Sequence, residues 1–219
     1  MKEAKNPISD DEMRALLKKY PFLYRKNYWS TDPQPIYDTE KENLESNWYR
    51  EWEGTGWEDL WKRYLKHLFE WYDKQTDEVK KAFYFVDTKE KFGQMRIYTS
   101  VSTGDLEWIA EWLSSVTCQI CGKVTKDSED PRWFKIWRTG GWIANYCEDC
   151  AKKYEREFVE QDKLDDMMVM VKNFGYKRYD SDTTRMVKYE DDGDGWLRKC
   201  QDYRIERDGI EVTEGTDRQ

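Results

Sequence analysis

Cys118-Gln119-Ile120-Cys121-Gly122 and, further along, Cys147-Glu148-Asp149-Cys150 are two C-x-x-C pairs in a single chain, and their reading decides how the middle of the protein is built. Four thiolates at this spacing can close a tetrahedron around one ion, and a tetrahedron closed by protein sulfur leaves no position for water or substrate. The donor set points to Zn²⁺, with iron as the residual alternative. Cys118, Cys121, Cys147 and Cys150 are therefore expected to hold a structural Zn²⁺, a staple and not a catalyst. Gly122 permits the left-handed turn of a knuckle that aims backbone N–H groups at the sulfurs. Two short aromatic strands, 132–137 and 142–146, flank Thr139-Gly140-Gly141, a hairpin turn signal. Cys147 then begins a helix whose N-terminal dipole favours thiolate. Knuckle, hairpin and helix in this order predict a treble-clef-like module.

Working outward, Asp105 caps a helix with Leu106, Ile109, Trp112 and Leu113 on its buried face, and this helix delivers the chain straight to Cys118. The module is thus expected to be welded to what precedes it. Before it, segments 82–86 and 94–101 are rich in aromatic and β-branched residues and predict an antiparallel pair joined by the polar segment 87–93. Earlier still, Thr55 with Glu58 reads as a capping box opening a helix in which Trp57, Leu60, Trp61, Tyr64, Leu65, Leu68, Phe69 and Tyr72 recur at three and four residues, a core-facing stripe. Ser9 with Glu12 is a second capping box, opening a short helix that Pro21 ends; the stretch from 21 to 43 is expected to be a packed loop. After Cys150 the helix should run through Phe158 and Leu164 to about Phe174. Segments 184–189, 196–205 and 210–212 then predict a C-terminal β-meander. The fold class is α+β, helices packed on a small antiparallel sheet, in three parts: 1–115, a zinc module over 116–174, and the meander over 175–219.

Composition bounds the function. Acidic residues exceed basic ones by 45 − 37 = 8, and the sequence pI is about 5.0, so non-specific attraction to phosphate backbones is not the expectation. Mean hydropathy is −1.08 while aromatic residues make up 16% of the chain; the core must be built from rings, and some rings are expected to line a groove or a partner surface. No apolar run reaches membrane-spanning length and the first residues lack the apolar stretch of a signal peptide, which places the protein in the cytoplasm. Five cysteines, four of them at ligand spacing, fit a reducing compartment; Cys200 reads as a small apolar filler in a strand.

Gly56-Trp57-x-x-Leu60, then Lys89-Glu90-Lys91-Phe92-Gly93-Gln94-Met95-Arg96-Ile97-Tyr98, then Ser115-x-x-Cys118-x-x-Cys121-Gly122 with Gly141-Trp142 and Cys147-x-x-Cys150, resemble in kind and order a family of small, mostly uncharacterised zinc proteins encoded by tailed bacteriophages and prophages. The resemblance covers residues 45 to 155; Met95 stands where the family pattern has Leu, and the loop from 123 to 132 is long and charged. What it implies is viral origin, a cytosolic zinc protein in the bacterial host, and a role in handling that host. It carries no catalytic residues to transfer.

Three function classes follow. An enzyme is disfavoured: a nuclease of the His-metal type needs a histidine in the hairpin, whereas the one histidine, His67, lies far upstream and reads as a boundary residue of the aromatic stripe; no nucleophile system is evident. A nucleic-acid-binding module is the alternative, through Lys91, Arg96, Lys135 and Arg138 interleaved with Phe92, Tyr98, Trp133 and Trp137; a pocket sequestering a nucleotide signal is a further variant. The leading expectation is a protein that binds and inhibits a host protein, a bacterial defence effector, through an acidic, aromatic-rich surface, with Lys91, Arg96, Trp133, Trp137, Arg138 and Trp142 as candidate contacts.

Overall fold

A computed structural model of the protein describes residues 7–26, 35–124, 136–139, 143–153, 158–161, 184–191 and 197–205. The chain divides into two compact units, one made of Met1–Thr125 with Ile136–Glu160, the other of Lys126–Lys135 with Gln161–Gln219. The knuckle and its cysteines therefore belong to the same unit as the helices before them.

The first unit begins with α1 (Asp10–Lys19), where Ser9 and Glu12 form the reciprocal capping box and Met13 and Leu17 are buried. A 3₁₀ turn, Pro21–Leu23, follows. Within the stretch expected to be loop, Thr39 and Glu42 form a second box that opens α2 (Glu40–Glu45). The central element is α3 (Glu58–Asp73), which buries Leu60, Trp61, Tyr64, Leu65, Leu68 and Tyr72 on one face, the stripe its periodicity predicted. Trp61 donates its indole N–H to Trp48 O at 2.8 Å, Phe85 packs 5.6 Å from the Trp61 ring, and Tyr20 stacks on Phe69 at 4.1 Å. Rings thus interlock through the core, and removing one as large as Trp61 would cost about 3–5 kcal/mol.

α4 (Asp77–Ala82), capped by Thr76, leads into β1 (Phe85–Lys91) and β2 (Gln94–Thr99), which pair antiparallel. The polar segment expected to join them is largely strand: 87–91 continue β1, and the connection is only Phe92-Gly93, both at positive φ, because each of these polar residues pairs with one of 94–98 across the antiparallel ladder. α5 (Leu106–Ser115) seals the outer edge of β2. Met95 N–H donates to Ser114 Oγ at 2.8 Å, Ile97 N–H donates to Glu111 Oε1 at 2.9 Å, and Arg96 donates to the other Glu111 oxygen at 2.9 Å.

Downstream, β3 (Ile136–Thr139), β4 (Asn145–Tyr146) and β5 (Phe158–Gln161) form a sheet of order β4-β3-β5, and α6 (Glu148–Lys153) lies between β4 and β5 in the chain. This corrects the expected helix to 174: Phe158–Gln161 is a strand, because pairing with β3 outweighs a periodicity that aromatic and β-branched residues satisfy equally well as strand. In the second unit β6 (Thr184–Asp191) and β7 (Leu197–Ile205) make an antiparallel hairpin with a bulge at Lys188/Tyr189, and position 200 falls in β7. The expected third strand, 210–212, lies outside the described residues. Among the described residues no helix is long and apolar enough to cross a membrane.

Candidate metal centre

The site is built on a backbone scaffold before any sulfur is considered. Gly122 has φ +78° and donates its N–H to Cys118 O at 2.9 Å, while Cys118 N–H donates to Lys123 O at 3.0 Å; an isolated bridge between Thr117 and Val124 closes the turn. This is the expected knuckle, with glycine where a Cβ would be disfavoured. The second pair enters from β4: Ala151 N–H donates to Cys147 O at 2.9 Å, so Cys147 sits immediately ahead of α6 and Cys150 in its first turn.

The four sulfurs lie within 4.8 Å of one another, and Cys121 Sγ is 3.6 Å from Cys147 Sγ. A disulfide requires about 2.0 Å, and all four cysteines are unbridged. Sulfurs around a tetrahedral ion at about 2.3 Å stand roughly 3.8 Å apart. The geometry fits a metal, and so does the chemistry, since among the described residues the group contains thiols alone. Cys118, Cys147 and Cys150 are buried and Cys121 is exposed. Burial pushes the Cys147 and Cys150 thiols up. For Cys121 burial acts in the same sense, but hydrogen bonds from the Lys123 backbone and from the other thiols outweigh it and bring that group below the ordinary value. A dication held there would supply the compensation that four crowded sulfurs otherwise lack. Outside the cluster, Lys123 and Asp149 join the knuckle to α6 at 2.8 Å, each holding the other charged: Asp149 lies below the usual carboxylate value and Lys123 above the usual amine value.

The cluster is fastened to its unit by close backbone approach. Gly56 N–H donates to Gln119 O at 2.8 Å, and a Cβ on Gly56 would lie 2.0 Å from Cys118 O. Trp57 donates its indole N–H to Thr117 O at 3.2 Å. On the other side, buried Asn145 donates Nδ2 to Gly93 O at 2.6 Å and to Ser115 O at 3.0 Å, and exchanges further bonds with Gln119 through its backbone. The hairpin turn, the end of α5, the knuckle and β4 thus meet at one amide. Gly56, Gly93 and Ser115 belong to the three separated motifs, and the structure brings those motifs together at this centre. Asn145 and Gln119 carried no signal in the sequence, because nothing in their spacing marks them as bracing residues.

The same contacts explain a correction. α3 does not start at Thr55: Trp57 is its N-cap residue, without a side-chain bond. Thr55 Oγ1 instead accepts from Trp57 N–H at 3.1 Å, and Glu58 reaches back to Gly54 N–H at 2.8 Å. Gly56 is committed to the knuckle, so the helix begins beyond it. Asp105 is likewise the N-cap residue of α5 without a side-chain bond; Glu107 accepts the hydroxyls of Thr103 and Thr99.

The candidate contacts separate. Lys91 is exposed. Arg96 is engaged by Glu111 at 2.9 Å, and Trp137 is half-buried in β3, opposite Tyr146. Trp133 and Trp142 lie outside the described residues, as does the side chain of Arg138. His67 lies in α3, with Nδ1 3.9 Å from Glu70, and does not join the cysteines. Among the described residues the rings that suggested an aromatic exterior are mostly buried or half-buried, and the large exposed ones are Phe92 and Tyr98. The chain matches no protein-family model, no curated protein and no solved structure.

Proposed function

We propose that this chain is a non-enzymatic zinc protein that binds a host protein and inhibits it by stoichiometric blockade, a bacterial defence effector being the partner that the phage resemblance implies. The observation that carries the reading is the convergence of four thiols within 4.8 Å inside a unit whose backbones are locked to the knuckle. An ion saturated by protein sulfur contributes folding energy and offers no open position for chemistry. Knuckle, strand pair and α6 in that order support a treble-clef-like module. Exposed carboxylates on α1 and α2, among them Asp10, Asp11, Glu12, Glu40 and Glu45, support an acidic exterior of the kind that meets basic grooves on partners. The reading places the protein in the cytoplasm of the infected cell.

Two measurements test it. Elemental analysis of the pure chain should return one zinc per molecule, and affinity purification from host bacteria should return one protein at equal stoichiometry whose activity falls on addition of the chain. Absence of stoichiometric metal, or recovery of nothing above background, defeats the reading. Binding of DNA or RNA that weakens steeply with salt would replace it with the nucleic-acid alternative.

A further inference from the structure

The β1–β2 hairpin has one closed edge and one open edge. Met95 and Ile97 turn their N–H groups away from β1, onto Ser114 and Glu111 of α5. In an antiparallel ladder, residues directly opposite each other either exchange both backbone bonds or both point away. Met95 is opposite Glu90 and Ile97 is opposite Thr88, so the backbone groups of Thr88 and Glu90 point outward along the free side of β1. Among the described residues no strand lies on that side. Such an edge is a template for a further strand.

Side chains narrow what that strand can be. Thr88 is 6% exposed, yet its Oγ1 has no hydrogen-bond partner among the described residues, and a hydroxyl buried in that state costs free energy. Asp87, Lys89, Glu90 and Lys91 carry the kind of charge that ordinarily blunts an edge. Here the order of those charges selects a partner. If β1 pairs antiparallel with β1 of a second copy about a two-fold axis, residues equidistant from the axis residue face each other. With the axis at Thr88, Asp87 lies opposite Lys89 of the second copy, Val86 lies opposite its Glu90, and no like charges face. An axis at Asp87, Lys89, Glu90 or Lys91 sets that residue opposite its own copy, like charge against like charge. An axis at Val86 falls in the bulge between Phe85 and Asp87. The register that survives sets the two unpartnered Thr88 hydroxyls across the axis from each other, where Thr–Thr pairs hydrogen-bond, and it uses the outward backbone groups of Thr88 and Glu90.

We propose that the free edge of β1 is a dimerisation site, at which β1 pairs antiparallel with β1 of a second copy about an axis at Thr88. The result is a four-stranded sheet of order β2-β1-β1-β2, held by two reciprocal Asp87–Lys89 pairs and a hydrogen bond between the Thr88 hydroxyls. This inference is independent of the metal and of the host-protein reading.

Sedimentation of the full-length chain over a concentration series reads the dimer. Asp87→Lys and Lys89→Asp each bring like charges together twice, once on either side of the axis, and each should weaken dimerisation by roughly tenfold. Combining the two exchanges restores opposite charges and should restore the dimer. Thr88→Val should weaken the dimer several-fold, while at concentrations where the chain is monomeric it should melt at the same or a higher temperature, because the unpartnered hydroxyl is gone. On the unaltered chain, amide exchange at Thr88 and Glu90 should slow as concentration rises through the transition, and exchange at Lys89, which already bonds to β2, should not change. A chain that stays monomeric at the highest attainable concentration overturns the proposal, even where the edge takes up a host peptide instead. So does exchange at Thr88 and Glu90 that ignores concentration, a dimer indifferent to the single exchanges or to Thr88→Val, or a dimer that the combined exchange fails to restore.

Discussion

At the scale of single residues, two glycines separate close approach from strain. Gly56→Ala puts a Cβ 2.0 Å from Cys118 O, a backbone atom that cannot yield without moving the knuckle, and should cost about 3 kcal/mol or more. Gly104→Ala meets nothing within 4 Å but sits at φ +80°, so only the left-handed backbone penalty of about 1–2 kcal/mol applies. Urea denaturation of both variants checks the ordering, and equal losses would show that the contact at Gly56 is compliant. Asn145→Ala removes two bonds from a fully buried amide and strands Gly93 O and Ser115 O, a loss of about 2–4 kcal/mol. That residue was illegible in the sequence because its importance lies in which distant carbonyls it reaches.

At the scale of elements, start signals are reliable where nothing else competes for the backbone. The Ser9/Glu12 box forms as read, and the Ser9 hydroxyl and N–H hold the Glu12 carboxyl below its ordinary value. A carboxylate with a depressed folded value contributes stability above the ordinary carboxylate range that is lost as pH falls through the folded value. NMR titration should therefore show Glu12 protonating at lower pH than an unbonded glutamate, and Ser9→Ala should move its midpoint up; an unmoved midpoint would mean the box does not form in solution. At α3 the same kind of signal misplaced the start, since Gly56 is spoken for by the knuckle. Downstream, α6 spans Glu148–Lys153 and Phe158–Gln161 pairs with β3, a choice between helix and strand that depends on a partner edge distant in the chain.

At the scale of the whole molecule, a metal held by the four cysteines would link pieces that local order alone does not join. Chelation should lower the melting temperature and raise amide exchange at the knuckle and also at Gly56 and Gly93, whose partners Gln119 and Asn145 belong to the centre; unchanged exchange at both glycines would show the brace to be independent of the ion. Cys150→Ser should cost several kcal/mol through lost coordination, on the order of 3 or more. Because ligation requires thiolate, acidification restores protons to sulfur and releases metal, so the stability of the loaded protein should fall from neutral pH toward pH 5 together with zinc content. What the sequence determined by itself was which four cysteines come together, the buried stripe of α3, the hairpin strands and the first cap, because spacing and periodicity act within a few residues of chain. What only the tertiary structure decided was where α3 begins, that Phe158–Gln161 is a strand, how short the β1–β2 turn is, and that Asn145 binds the turn to the segment carrying the cysteine cluster. Those outcomes depend on backbones meeting from distant parts of the chain, and hydrogen bonds and excluded volume at such meetings outweigh the tenths of a kcal/mol by which local propensities differ.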